Sequence, residues 1–174
     1  MLIWVTGLSG AGKTTLAVAL YGKLKKKLSN LVLLDGDQFR EMMSSDVGYD
    51  HSDRLIMAWR MAKICQCLTA QSIHVICATI SMYKEIHMFN RANIKDYYEV
   101  FIDVSLDNLI KNDKKGLYSG ALSKKIHNVV GVDLPFDRPE NCDLIIDNNK
   151  KNALKEKVGR ILHLIEKSND KLNG

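Results

Sequence analysis

From Gly7 to Thr14 the chain reads Gly-Leu-Ser-Gly-Ala-Gly-Lys-Thr. Glycines at these positions let the backbone curl until several N–H groups converge on phosphate oxygens. A helix that opens here adds the positive end of its dipole. Lys13 then supplies a point charge to the β- and γ-phosphates, and the Thr14 hydroxyl is available to Mg2+. The run Gly7, Leu8, Ser9, Gly10, Ala11, Gly12, Lys13, Thr14 and Thr15 therefore reads as a site for ATP and Mg2+. A chance glycine turn would not combine loop, lysine, hydroxyl, preceding strand and following helix.

Further along, the apolar run Leu31–Leu34 ends in Asp35-Gly36-Asp37. Asp and Gly are ordinary turn formers, but beside a phosphate loop these carboxylates have chemical uses. One can take the proton of an attacking hydroxyl or help to hold Mg2+, and Asp35 is the candidate for an indirect metal contact. Arg40 and Arg54 follow, with guanidinium forks that suit phosphate or sulfate oxygens. If both face one crevice they form an anion clamp on the acceptor side.

These residues must be positioned by something. The length of 174 residues and 46% hydrophobic content fit one α/β domain covering 1–174. Apolar runs predict strands at Leu2–Thr6, Leu31–Leu34, His74–Ala78, Tyr98–Val104 and Leu144–Asp147. Helical patterns fall at Lys13 to about Leu28, from a Ser52 or Asp53 cap to Ala70, about Met82–Ile94, a short helix capped by Ser105, and Ala153–Glu166. Asp35 to Gly48 reads as a polar connection and Lys114–Pro139 as a mobile excursion. Alternating strands and helices imply a parallel sheet covered on both faces. Ligands of such sheets sit beyond the carboxyl ends of the strands. The clusters Gly7–Thr14, Asp35–Arg40 and Thr79–Lys84 each follow a strand, so they should meet there. The strand ending at Asp35 is expected to neighbour the strand that feeds the loop.

Composition narrows the class. No stretch reaches the roughly 18 apolar residues of a membrane helix. Met1–Thr6 lacks the basic leader of a secretion signal, which gives a cytoplasmic expectation. The formal charge of +5 collects in Lys25–Lys27 and from Lys150 onward. Without aromatic interleaving, these lysines read as solvated helix faces rather than a nucleic-acid track. The cysteines at 65, 67, 77 and 142 lack zinc spacing and are expected as reduced thiols, the first three in the core. The five histidines are dispersed. An Asn-Lys-x-Asp guanine motif is absent, and the chain is short for a motor ATPase, so a small-molecule kinase fits. Arg54, Met57, Ala58 and Met61 share one helix face, and Trp59 reads as core.

From Ile3 to about Asp147 the sequence resembles the adenylylsulfate kinases, which phosphorylate the ribose 3′-hydroxyl of adenylylsulfate. The resemblance rests on Gly7–Thr15, on Leu34-Asp35-Gly36-Asp37 with Arg40, and on Asp46-Val47-Gly48-Tyr49 leading to Asp53-Arg54. It continues through Ile80-Ser81 with Tyr83, Asp113 with Lys115-Gly116-Leu117-Tyr118, Gly131-Val132-Asp133, and Pro135-Phe136-Asp137. It implies a P-loop kinase fold, with a parallel five-stranded sheet, helices on both faces and a lid at about 113–139. It also implies that Asp37 is the base, that Arg40 and Arg54 hold the acceptor's phosphate group, and that Ile80 and Ser81 line the acceptor site. Lys115, Gly116 and Leu117 would belong to the closing lid, and the protein would be a homodimer.

The departures cluster on the acceptor side. Met57 stands where the family has an asparagine, Trp59 where it has an arginine, and Tyr49 and Val129 where two phenylalanines enclose the adenine. Ser119, Met82 and Asn112 replace a lysine, a proline and an arginine. His87 replaces another arginine, which leaves it a weak phosphate contact. Losing one aromatic wall removes stacking worth about 1 kcal/mol, so a changed acceptor base is expected. The sequence looks like those relatives in capsule-building bacteria that act on cytidine diphosphoramidate, again at the 3′-hydroxyl. The alternatives are an adenylylsulfate kinase making 3′-phosphoadenylylsulfate for sulfate assimilation, and a non-catalytic nucleotide-binding regulator.

Overall fold

A computed structural model describes residues 1–43, 46–150 and 153–170. Its strands are β1 (Leu2–Thr6), β2 (Leu31–Asp35), β3 (His74–Thr79), β4 (Tyr97–Asp103) and β5 (Leu144–Asp147). They form one parallel sheet in the order β2-β3-β1-β4-β5. β1, β3 and β4 are buried almost throughout, because helices cover both faces and no position looks outward. The period-two alternation of β1 divides the core. Ile3 and Val5 join Leu16, Leu20 and Ile161 on one face, while Leu2 and Trp4 join Met57, Met61 and Ile86 on the other.

The helices are α1 (Lys13–Leu24), α2 (Gly36–Met43), α3 (His51–Ala70), α4 (Lys84–Asn93), α5 (Leu106–Lys111), α6 (Leu117–Leu122) and α7 (Leu154–Asp170). Ser105 caps α5 as expected, its side chain accepting from the Asn108 N–H. Among the described residues no helix is long and apolar enough to cross a membrane.

Five sequence expectations are corrected. The strand carrying Asp35 does not neighbour β1, because β3 lies between them. The crossover helix α1 packs over both β2 and β3, and a helix about 10 Å wide covers two strand spacings of about 4.8 Å. The connection after Asp35 contains α2, since Asp35 Oδ1 accepts from the N–H groups of Asp37 (3.0 Å) and Gln38 (3.4 Å). The supposed turn is thus a helix start. The cap of α3 is Asp50, which accepts from the Asp53 N–H at 2.8 Å. The segment 114–139 contains α6. Cys67 is exposed while Cys65 and Cys77 are buried; two residues apart on a helix, Cys65 and Cys67 cannot share a face.

Candidate active site

The loop between β1 and α1 has the backbone that its glycines predict. Gly7, Gly10 and Gly12 have φ of 150°, 75° and 97°. A Cβ on Gly7 would stand 2.6 Å from the Ile102 carbonyl oxygen, and one on Gly12 would stand 2.7 Å from Asn148 Nδ2. Leu8 and Ala11 bury their side chains in the core, so their contribution to a ligand is main-chain. Lys13 Nζ donates to the Leu8 carbonyl at 2.8 Å. Burial pushes its pKa down to about 8, with Lys115 adding to the lowering and Asp37 and Asp35 opposing it.

Three residues from distant elements brace this loop. The Tyr118 hydroxyl donates to the Ser9 carbonyl at 2.7 Å, and burial lifts that phenol to about 12. Asn148 Nδ2 donates to the Ala11 carbonyl at 2.7 Å, and Lys157 Nζ donates to Asn148 Oδ1 at 2.5 Å. Asn148 and Lys157 escaped sequence reasoning, since neither belongs to a local motif. A cavity of about 460 Å³ lies beside the loop, with Thr15, Leu109, Asn112, Asn148 and Lys157 among its walls.

On the other side of the loop a larger crevice of about 1040 Å³ collects most of the predicted residues: Lys13, Thr14, Asp35, Asp37, Arg40 and Arg54. Met57, Tyr49, Ile80, Ser81, Lys115 and Leu117 line it too. Thr14 Oγ1 donates to Asp35 Oδ2 at 2.7 Å. These are adjacent hard oxygen donors of the kind Mg2+ takes, together with phosphate oxygens and water. Among the described residues, no group of three or more His, Cys, Asp or Glu could hold a metal. The donor set therefore fits an ion shared with a bound phosphate. Asp37, in the first turn of α2, is exposed and meets Lys115 Nζ at 3.3 Å.

Arg40 and Arg54 converge. Arg40 donates to the Gly48 carbonyl at 2.5 Å, and Arg54 donates to the carbonyls of Tyr49 (2.9 Å) and Asn128 (2.8 Å). The Tyr49 ring lies 4.5 Å from the Arg40 guanidinium and 5.4 Å from that of Arg54. Burial, followed by the like charge of Arg40, lowers the Arg54 pKa. Two cations held this close favour an anion between them.

Val129, Gly116 and His87 are placed otherwise than expected. Val129 is 2% exposed and packs in the core, while Ile126 and Val130 line the crevice. Asp133 accepts from the N–H groups of both Asn128 (2.8 Å) and Val129 (2.5 Å), and Asn128 has φ 65°. That turn directs Val129 inward. Gly116, with φ 65°, caps α6 and lines neither cavity. His87 is buried and its ring bonds the Ser81 carbonyl at 3.0 Å, which leaves no phosphate contact. Phe39, Met61, Tyr83, Pro135 and Phe136 also line the crevice. Which of them reach the crevice is set by tertiary packing that the local sequence does not encode.

Comparison with known proteins places this geometry in a lineage. Residues 1–147 match the family described as adenylylsulphate kinase. A cytidine diphosphoramidate kinase of Campylobacter jejuni subsp. jejuni serotype O:2 is 50% identical over 161 residues, covering 92% of this chain and 94% of that protein. An adenylyl-sulfate kinase of Deinococcus deserti is 41% identical over 143 residues, covering 82% and 79%. The structure of the Mycobacterium tuberculosis APS kinase CysC in complex with AMPPNP and APS superposes with a TM-score of 0.83 at 32% identity, covering 95% and 96%. By sequence and by fold, the chain belongs to the adenylylsulphate kinase family.

Proposed function

We propose that the protein transfers the γ-phosphoryl group of ATP to the ribose 3′-hydroxyl of cytidine diphosphoramidate, serving the biosynthesis of capsular phosphoramidate. One observation carries this reading: the 50% identity to a cytidine diphosphoramidate kinase extends over nearly the full length of both chains. One acceptor-side substitution that lines the crevice supports it. Met57, where the family has an asparagine that helps hold the acceptor nucleotide, is 6% exposed at the crevice wall, so that amide is replaced by an apolar surface.

The roles in this reading are those the family resemblance implies, and the geometry is compatible with them. The glycine-rich loop and Lys13 hold the triphosphate, and the Gly10–Asn148 cavity accepts the donor base. Thr14, with Asp35 behind it, would hold Mg2+, which supplies charge neutralisation on the phosphates. Asp37 takes the proton of the 3′-hydroxyl. Arg40 and Arg54 grip the acceptor's anionic tail, with Tyr49 as an aromatic surface between them and the base. Ile80 and Ser81 flank the acceptor, and the segment 113–139, with Lys115 and Leu117, acts as a lid that excludes water. The whole chain acts as one kinase domain in the cytoplasm, and as a homodimer if it follows the family resemblance; sedimentation velocity measures that state.

Competition binding tests the acceptor. With the donor site saturated by a non-hydrolysable ATP analogue, cytosine nucleotides should displace a bound acceptor at concentrations at least about tenfold below adenine nucleotides. The reverse order assigns adenylylsulfate as the acceptor.

A further inference from the structure

Ile80, Ser81 and Met82 leave β3 as a strap along the crevice. Their three successive carbonyls are tied down from three different parts of the chain. Thr6 Oγ1, at the end of β1, donates to the Ile80 carbonyl at 2.6 Å. The Asp137 main-chain N–H donates to the Met82 carbonyl at 3.0 Å. Between them, His87 Nε2 on α4 lies 3.0 Å from the Ser81 carbonyl. A carbonyl only accepts, so Nε2 carries a hydrogen.

The other face of the ring is equally specified. His87 Nδ1 stands 3.0 Å from Glu99 Oε1. Glu99 is 3% exposed, and its second oxygen meets the Tyr97 hydroxyl at 3.2 Å and Arg91 at 3.5 Å. A buried carboxylate is a costly way to fill space, and an apolar side chain would fill it without desolvating a charge. What Glu99 adds is a fixed ring orientation, of the kind that carboxylates give histidines elsewhere. His87 itself is 9% exposed and lines no part of the crevice.

We propose that His87 is a positioning residue for the acceptor: Glu99 sets its ring, and its Nε2–H pins the Ser81 carbonyl so that the strap meets the acceptor nucleotide in one geometry. The proposal rests on the reading that the larger crevice takes the acceptor.

Two near-isosteric variants separate the two halves of the ring. His87→Asn keeps a donor near Nδ1, toward Glu99, and loses the one at Nε2. His87→Gln does the opposite. Kinetics are measured with whichever acceptor the unmodified protein turns over, cytidine diphosphoramidate or adenylylsulfate, so an error in the acceptor's identity leaves the test intact. His87→Asn should raise the acceptor KM about tenfold with the ATP KM unchanged, and His87→Gln should stay within about twofold of the unmodified protein. An unchanged acceptor KM in His87→Asn, or an ATP KM that rises in parallel, overturns the proposal. Nitrogen-15 NMR of the unmodified protein decides the matter if a variant does not fold or neither acceptor is turned over. A protonated, slowly exchanging Nε2 is expected, and an unprotonated Nε2 overturns it.

Discussion

Lys13 and Asp37 face the same crevice from opposite chemical directions. The Lys13 ammonium is depressed to about 8 by burial. The proposed phosphate contact needs its charged form, so kcat/KM for ATP should lie, above the acid limb that the proposed Asp37 base imposes, on a plateau just below that value. It should fall about tenfold per pH unit above it, because kcat/KM reports the free protein. Bound triphosphate stabilises the ammonium, so the limb in kcat should lie at higher pH. A pH profile of both parameters checks the two signs, and a kcat/KM that stays level well above pH 8 would contradict them. For Asp37→Ala we expect kcat to fall by about 10²- to 10⁴-fold with little change in the ATP KM. Unchanged turnover in a coupled assay would remove Asp37 from the mechanism. Lys13, Asp37, Arg40 and Arg54 line one crevice, a meeting that the strand-following clusters and the family resemblance together led one to expect. Val129 and His87 were misplaced because which way a side chain faces is decided by contacts that residue type does not announce: a tight turn closed by Asp133 for one, and Glu99 on another element for the other.

At the scale of elements, the helix starts carry the site. Asp37 lies in the first turn of α2, which Asp35 caps, and Arg54 lies in the first turn of α3, which Asp50 caps. Replacing Asp50 by alanine should lower Tm by about 2–4 °C. It should also raise the acceptor KM, since the Arg54 fork loses its fixed base. Thermal melts and acceptor titrations measure the two effects, and a variant with both unchanged would detach the cap from the site. The strands were legible from continuous apolar runs, with bounds within a residue or two. Helix α2 was hidden because Asp-Gly-Asp carries the same residues as a turn, and only the hydrogen bonds of the Asp35 carboxylate tell a cap from a turn.

At the scale of the molecule, the order β2-β3-β1-β4-β5 gathers three loops that lie far apart in the chain. Convergence at the carboxyl ends of the strands was predictable from parallel topology. The insertion of β3 between β1 and β2 was not, because strand order is fixed by how a crossover helix spans the sheet rather than by any local signal. The consequence is spatial: the strap 80–82 emerges between the glycine-rich loop and Asp35, so all three line one crevice, as the proposed transfer from donor to acceptor requires. The identity of the acceptor is therefore the claim on which the account stands. Its most direct test is a coupled assay of the purified protein with ATP, comparing kcat/KM for cytidine diphosphoramidate and for adenylylsulfate. The account predicts a preference for cytidine diphosphoramidate of at least about 100-fold; equal or better turnover of adenylylsulfate would contradict it.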